Sequence, residues 1–254
     1  EQSHKLDSKA VIVWFDVRKA FNMVEWEYLW AVLEKIGLGP TFIRWVQILY
    51  AKPQARVRVN GAVSKACTLH RGTRQGCPLS PILFTMALEP LAAWVRADPL
   101  IWGIPGPSGW EDTISLYADD ILLYLTKPEW SLERIFHILR IFGRYSGYVI
   151  NWDKSLMYPI KGPAPKLPRD CKIETVTEGF KYLGIFITNT QDGFMEKNLQ
   201  PARVRLQSDI KHWKTLPLSL LGRAALFKMM ALPRLLYILQ NAPYQVPQSF
   251  FYRH

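Results

Sequence analysis

A chain of 254 residues, 49% hydrophobic and 21% charged, carries enough apolar material for a sizeable core, as one large domain or two smaller ones. Thirty-two Lys and Arg against 21 Asp and Glu leave a net charge of +11, which favours a polyanionic partner, nucleic acid before an anionic membrane. Three cysteines with no CxxC pair argue against a disulfide scaffold and a zinc site, the five histidines have no ligand spacing, and no apolar run reaches the ~18 residues of a membrane span.

The chain opens on Glu1 without a signal-peptide pattern, and reads as a piece of a longer product from a reducing compartment. Val11 to Val17, "VIVWFDV", is a β-branched and aromatic run that reads as a buried strand. Phe21, Val24, Tyr28, Leu29, Val32 and Ile36 recur at helical spacing, so one helix is expected from Ala20 to Ile36, with Gly37 as its C-cap. A second short helix follows over Thr41 to Tyr50. "ARVRVNGAVSKACTLH" alternates about Asn60-Gly61, a strong hairpin signal. "RGTRQGCPLSP" is a loop, and Ile82 to Val95 a mostly apolar helix. After the loop "DPLIWGIPGPSGW" comes a hairpin, "SLYADDILLYL". Leu132 to Tyr145 is an amphipathic helix. "KSLMYPI" and "FKYLGIFIT" read as short strands on either side of the Pro-rich "KGPAPKLPRD". From about Glu196 to Gln240 two long helices are expected, broken near Leu216-Pro217 and kinked at Pro233. The order predicts an α+β domain followed by a small helical one, with a boundary near residue 190.

The chemistry starts at Asp119 and Asp120. Asp at a hairpin tip is often a solvated turn residue. This tip has no Gly, Asn or Pro, and its apolar flanks are expected to bury it. A buried acid pair is costly unless a cation or partner charge offsets it. Carboxylate oxygens suit magnesium, and Asp16, near the end of another apolar strand, supplies a third. Three carboxylates on adjacent strands can hold two ions, the arrangement used for in-line displacement at phosphorus. With +11 overall, nucleotidyl transfer on a nucleic acid is the natural chemistry.

"FDVRKAF", "RGTRQGCPLSPILF", "YADD", "GYVINWDKS" and "FKYLGI" follow one another in the order of the palm motifs of a known family. The chain resembles the reverse transcriptase domain of non-LTR retrotransposons of the vertebrate long interspersed element type, over nearly its whole length. The resemblance implies an α+β polymerase palm, an antiparallel sheet backed by helices, spanning residues 1–190. A partial helical thumb over 191–254 would follow, with the fingers largely missing. It implies RNA-directed DNA synthesis from a primer 3′-hydroxyl, with two Mg²⁺ ions (or Mn²⁺) on Asp16, Asp119 and Asp120. The partners implied are an RNA template, a DNA primer or target, deoxynucleoside triphosphates and no membrane, in an intracellular ribonucleoprotein of nucleus and cytoplasm.

Residue by residue, Phe21 matches the bulky side chain under the nucleotide sugar, and Gln75 and Gly76 the loop facing the template base and nucleotide. Lys154 matches a lysine that protonates or holds the leaving pyrophosphate. Phe180, Lys181, Tyr182 and Gly184 match the hairpin that grips the primer end. Arg71 and Arg74 flank the nucleotide loop as candidate phosphate contacts. Arg56 and Arg58, two apart on one strand, form a candidate phosphate-tracking stripe. Arg203, Arg205, Lys211, Lys214, Arg223 and Lys228 give the thumb helices a basic surface. Two departures stand out: Asn22 replaces the acid that usually follows the position of Phe21, and only about ten residues precede the first strand. A catalytically inactive nucleic-acid-binding remnant is the alternative expectation.

Overall fold

The structure is a computed structural model that describes residues 9–106, 109–166, 173–246 and 250. They fall into two compact units that meet in sequence between Thr175 and Val176. Cys171 and the end of the Pro-rich separator lie outside the described residues. Among the described residues no helix is long and apolar enough to cross a membrane.

The first unit opens with strand β1 (Val11–Val17) and helices α1 (Ala20–Met23), α2 (Trp26–Ile36) and α3 (Pro40–Leu49). A two-stranded ribbon follows: β2 (Gln54–Ala55), β3 (Arg58–Val59), β4 (Ala62–Val63) and β5 (Cys67–Thr68). It turns at Asn60-Gly61 as expected, with φ 49° and 86°. Then come α4 (Ser80–Ala97), the short pair β6 (Ile104–Pro105) and β7 (Glu111–Asp112), and the hairpin β8 (Ile114–Tyr117) and β9 (Asp120–Leu125). Helix α5 (Pro128–Ser146) and strands β10 (Ile150–Pro159) and β11 (Glu174–Thr175) complete it.

One five-stranded sheet, in the order β11-β10-β1-β9-β8, organises this unit. All its pairings are antiparallel except β10 with β11. Along β1 burial alternates strictly: Val11, Val13, Phe15 and Val17 are buried, and the residues between them are half-exposed. That period-two pattern carries one face into a core shared with Leu83, Leu88 and Leu91 of α4 and Leu132, Ile135 and Ile138 of α5. Each such apolar side chain contributes ~1.5–3 kcal/mol by leaving water. The fold is therefore the expected α+β sheet backed by helices.

The single helix expected over Ala20–Ile36 is in fact two. Val24 is extended (φ −60°, ψ 119°), and tertiary hydrogen bonds explain the break. The Val24 carbonyl accepts from Gly72 N at 2.8 Å, and Glu25 N donates to the Ser146 carbonyl at 2.9 Å. Both backbone groups serve other segments and are lost to a continuous helix. Helix α2 ends as expected at Gly37, which is left-handed at φ 86°.

The second unit holds the hairpin β12 (Phe180–Tyr182) and β13 (Ile185–Ile187), then α6 (Gln191–Phe194), α7 (Gln200–Lys214), α8 (Leu220–Leu226) and α9 (Leu232–Gln240). "FKYLGIFIT" is thus two strands turning at Leu183-Gly184. The expected boundary near 190 falls inside this unit, because Asn198 ties the hairpin to the helices. Its Oδ1 accepts from Phe186 N at 2.7 Å, and its Nδ2 donates to the carbonyls of Phe186 (2.8 Å) and Phe194 (3.1 Å). Ile185, Phe194 and Leu199 form the small core around it. Helices α7 and α8 are separated at Leu216–Ser219 as expected. Two π-helical turns, Met195–Leu199 and Phe227–Ala231, directly precede Pro201 and Pro233. A proline lacks the N–H and crowds the carbonyl four residues back, which a wider turn relieves. The kink expected at Pro233 takes this form.

Asn198 is nearly fully buried, so losing its side chain strands a backbone N–H and carbonyl. Asn198→Ala is expected to destabilise the second unit by ~2 kcal/mol, measured as roughly 30-fold faster hydrogen exchange at the Phe186 amide.

Candidate active site

The last paired residues of β1 and β9 are Phe15 and Ile121. One step further along the same register, Asp16 comes level with Asp120, the first residue of β9. On the other side of β1, Asp16 pairs with Asn151 of β10. Asp16 therefore lies between the two strands, on the sheet face opposite Phe15. Asn151 Nδ2 donates to Asp16 Oδ2 at 2.7 Å, and Trp14 Nε1 donates to Asp120 Oδ1 at 3.0 Å.

Asp119 stands in the two-residue turn Ala118–Asp119 that joins β8 to β9, with Ala118 at φ 50°. The sequence suggested a buried acid pair. Asp119 is exposed and Asp120 only half-buried, because the turn projects beyond the sheet edge. Below it, the buried Tyr148 hydroxyl donates to the Asp119 carbonyl at 3.4 Å.

The electrostatics tie the three acids together. Burial pushes the Asp120 carboxyl above the usual carboxylate range. The Trp14 hydrogen bond opposes that shift, and the charges of Asp119 and Asp16 add to it. Tyr148 is pushed well above an ordinary phenol, by burial first and then by Asp119, Asp120 and Asp16. All three carboxylates are thus close enough to feel one another.

Between Trp14–Asp16 of β1 and Asn151–Leu156 of β10 the register shifts, so β10 bulges. Ser155 closes the bulge: its hydroxyl accepts from Asp16 N at 3.2 Å and donates to the Asn151 carbonyl at 2.8 Å. Lys154 is carried on the outside of this bulge, exposed. Its neighbour Asp153 pairs with Arg18 at 3.8 Å.

Phe21 is half-buried and stacks on Phe84, with ring centroids 4.3 Å apart at 22°. The loop of Gln75 and Gly76 is stapled to it: the Phe21 carbonyl accepts from Thr73 N at 2.5 Å and from Thr73 Oγ1 at 3.2 Å. Gly72 makes the approach feasible, since a Cβ there would stand 2.7 Å from the Asn22 backbone. Beyond the staple, Arg74, Gln75 and Gly76 are exposed, Gly76 at φ 83°. Arg71 is exposed and pairs with Glu25 at 3.2 Å. Arg56 and Arg58 lie exposed on the ribbon, either side of Val57, whose N–H and carbonyl both bond Ser64.

In the second unit, Lys181 and Gly184 are exposed and Tyr182 is half-buried. Phe180 is buried at 3% exposure, so its ring supports the hairpin from beneath instead of meeting a ligand. The sequence reading missed Trp14, Gly72, Thr73, Tyr148, Asn151 and Ser155. A signal existed for all six: Trp14 is two residues from Asp16 on one strand face, Gly72 and Thr73 sit inside "RGTRQGCPLSP", and Tyr148, Asn151 and Ser155 sit inside "GYVINWDKS".

Residues 1–187 match the family described as reverse transcriptase (RNA-dependent DNA polymerase). The chain belongs to that family. Its relatives are non-LTR retrotransposon polyproteins. It is 28% identical over 228 residues to the transposon TX1 uncharacterized 149 kDa protein of Xenopus laevis, covering 87% of this chain and 17% of that protein. It is also 28% identical over 243 residues to a retrovirus-related Pol polyprotein from the type-1 retrotransposable element R2 of Popillia japonica, covering 91% of this chain and 33% of that one. The chain thus spans a third or less of either relative. A solved structure of apo telomerase from Candida tropicalis, truncated from its C-terminal domain, aligns with 74% of this chain and 35% of its own, at 12% identity and a TM-score of 0.49.

Reverse transcriptases use divalent metals. Among the described residues no three His, Cys, Asp or Glu side chains converge closely enough to hold an ion by themselves. Trp14 and Asn151 each hold one carboxylate by a hydrogen bond, and the acids repel. The donor set nevertheless fits a divalent cation, being all oxygen and destabilised by its own charge.

Because the folded-state pKa of Asp120 is raised, its ionised form works against folding. Stability falls as pH rises from the ordinary Asp value (~3.9) through the raised one. Asp120→Asn, in metal-free buffer with chelator, is therefore expected to raise Tm at neutral pH, with the gain vanishing below about pH 4. Thermal melts of both proteins across pH check this.

Proposed function

We propose that this domain copies RNA into DNA, extending a primer 3′-hydroxyl with deoxynucleoside triphosphates. The observation that carries the reading is the level placement of Asp16 and Asp120 with Asp119 one residue away. Asp16, Asp119 and Asp120 would hold the Mg²⁺ ions, Mn²⁺ serving as a substitute. When bound, the ions supply charge stabilisation at the attacking and leaving oxygens.

The remaining steps belong to the chain's own residues. Asn151 and Trp14 orient the carboxylates of Asp16 and Asp120. Phe21, backed by Phe84, presents a fixed aromatic face that collides with a ribose 2′-hydroxyl and admits a deoxyribose. Gln75 and Gly76, on a loop stapled to Phe21, face the nucleotide and template base. Lys154 donates a proton to the departing pyrophosphate from its exposed bulge. The first unit acts as palm. In the second, the Lys181–Gly184 hairpin meets the primer, and exposed Arg205, Lys211, Lys214, Arg223 and Lys228 follow duplex backbone. Arg56 and Arg58 on the ribbon track template phosphates, as does Arg74 beside the loop. Arg71 takes a positioning role through Glu25.

Primer extension on an RNA template with Mg²⁺ tests the reading. Asp119→Ala is expected to lower the rate by at least about 1,000-fold, the equivalent of ~4 kcal/mol in the barrier, while RNA–DNA binding persists. Equal rates for the two proteins would refute it. If neither extends while salt-sensitive duplex binding is intact, the domain is a nucleic-acid-binding remnant. Phe21→Val is expected to increase ribonucleotide relative to deoxynucleotide incorporation by about 10- to 100-fold in single-nucleotide assays. A purely structural Phe21 would lower both equally.

A further inference from the structure

The first unit carries a large cavity that the polymerase reading does not use. A groove of about 910 Å³ runs along the outer side of α5 and the start of β10. Its aromatic lining is Trp102, Trp130, Phe136, Tyr148 and Trp152. The Phe15 ring packs edge-on against Phe136 (6.4 Å) and Trp152 (5.8 Å). Phe15 and Asp16 point to opposite faces of β1, so Phe136 and Trp152 lie on the sheet face opposite Asp16, and Tyr148, whose hydroxyl bonds the Asp119 carbonyl, forms the inner wall nearest the acidic turn.

Its charge is one-sided. Arg140 and Arg144 are exposed at its margin with His137, against the single acid Glu133 in the lining. Arg134 is already committed to Asp98, its Nε 2.5 Å from Asp98 Oδ2. Trp130, His137, Arg140 and Arg144 follow one another at seven, three and four residues along α5, so they share one side over about 21 Å of helix. Trp130 is 70% exposed, so its ring is open to a stacking partner at the groove.

We propose that this groove binds single-stranded nucleic acid, a second site distinct from the polymerase cleft. Aromatic rings beside arginines on a positive track form a platform on which unpaired bases stack while phosphates meet cations. A duplex offers no free base faces to such a groove, so the ligand is a single strand, on the order of four nucleotides of it. The residues on which the proposal rests, Trp130, Arg140 and Arg144, take no part in the polymerase reading; Tyr148 is the one lining residue that also touches the acidic turn, through the Asp119 carbonyl.

The test is fluorescence anisotropy of the whole chain with a short labelled oligouridylate, titrated over a range of salt. Saturating unlabelled RNA–DNA hybrid fills the polymerase side. Arg140→Glu with Arg144→Glu is expected to weaken oligouridylate at least about tenfold, and to flatten the log–log salt slope by ~1.4, about 0.7 per lost phosphate contact. Trp130→Ala should weaken it about tenfold with the slope unchanged, and Trp130→Phe should restore most of the loss. Hybrid affinity, measured separately, should stay the same in all three variants. Unchanged oligouridylate affinity in the variants would overturn the proposal, as would parallel loss of hybrid binding. Displacement by oligoglutamate as effective as by oligouridylate would also overturn it, and would mark a site for an acidic peptide.

Discussion

The pairing of β1 with β9 is the constraint on which the rest of the site depends. Strand side chains alternate, so a slip of one residue would turn Asp16 into the core and Phe15 into water. What prevents the slip is the apolar set Val11, Val13 and Phe15, paired with Leu125, Leu123 and Ile121 on the buried face. Six side chains at ~1.5–3 kcal/mol each outweigh the repulsion among three carboxylates, of which Asp119 is exposed and the other two half-exposed. The hydrophobic face of the sheet thus holds a like-charged cluster on its other face. Burial first, and then the charges of Asp119 and Asp16, disfavour an ionised Asp120 in the folded chain, so this corner of the sheet is held against its own electrostatics.

The bulge in β10 solves a second problem. A regular strand next to β1 would pair without interruption from Trp14 through Asp16 and loop no residues out. By looping residues out between Asn151 and Leu156, β10 places Asn151 against Asp16, Ser155 against the Asp16 amide, and Lys154 on the exterior. One irregularity therefore orients a carboxylate and displays a cation. The Ser155 hydroxyl holds both ends of it, donating to one side and accepting from the other.

Much of this was legible in the sequence, for reasons that differ by element. Strand β1 shows because its period of two is uninterrupted, and the ribbon shows because Asn60-Gly61 supplies the positive φ that a tight turn needs. The three acids stood out because carboxylates rarely border apolar runs. The break at Val24–Glu25 was illegible: its cause is hydrogen bonding to Gly72 and Ser146, 48 and 121 residues further along, against a helical pattern that never lapses. The unit boundary was hidden for the same reason, since Asn198 looks like any polar residue at a helix start. The α5 groove is likewise a product of assembly. Its lining residues lie on a helix, a loop and a strand, and the amphipathic pattern of α5 says only that one side faces out.

The two hairpins at the functional motifs were expected, but the left-handed residues in their turns were not, and their composition explains why. Ala118 at φ 50° and Leu183 at φ 46° occupy the left-handed side of backbone space without being glycine or asparagine. Such residues cost on the order of 1–3 kcal/mol each, and are kept only where their surroundings over-determine them. At Leu183 the surroundings are visible: its carbonyl accepts the hydroxyl of Tyr237 within the second unit. At Ala118 the next residue's carbonyl receives Tyr148, and Asp120 beyond it receives Trp14. The Asn60-Gly61 turn, built from residues that adopt these angles readily, has exposed residues throughout. Among the described residues, left-handed backbone at a residue other than glycine or asparagine is found at these two turns and at Lys19. At the two turns the backbone is held by bonds to other segments, so the geometry of Asp119 is set by the sheet and by Tyr148 more than by the turn's own preference.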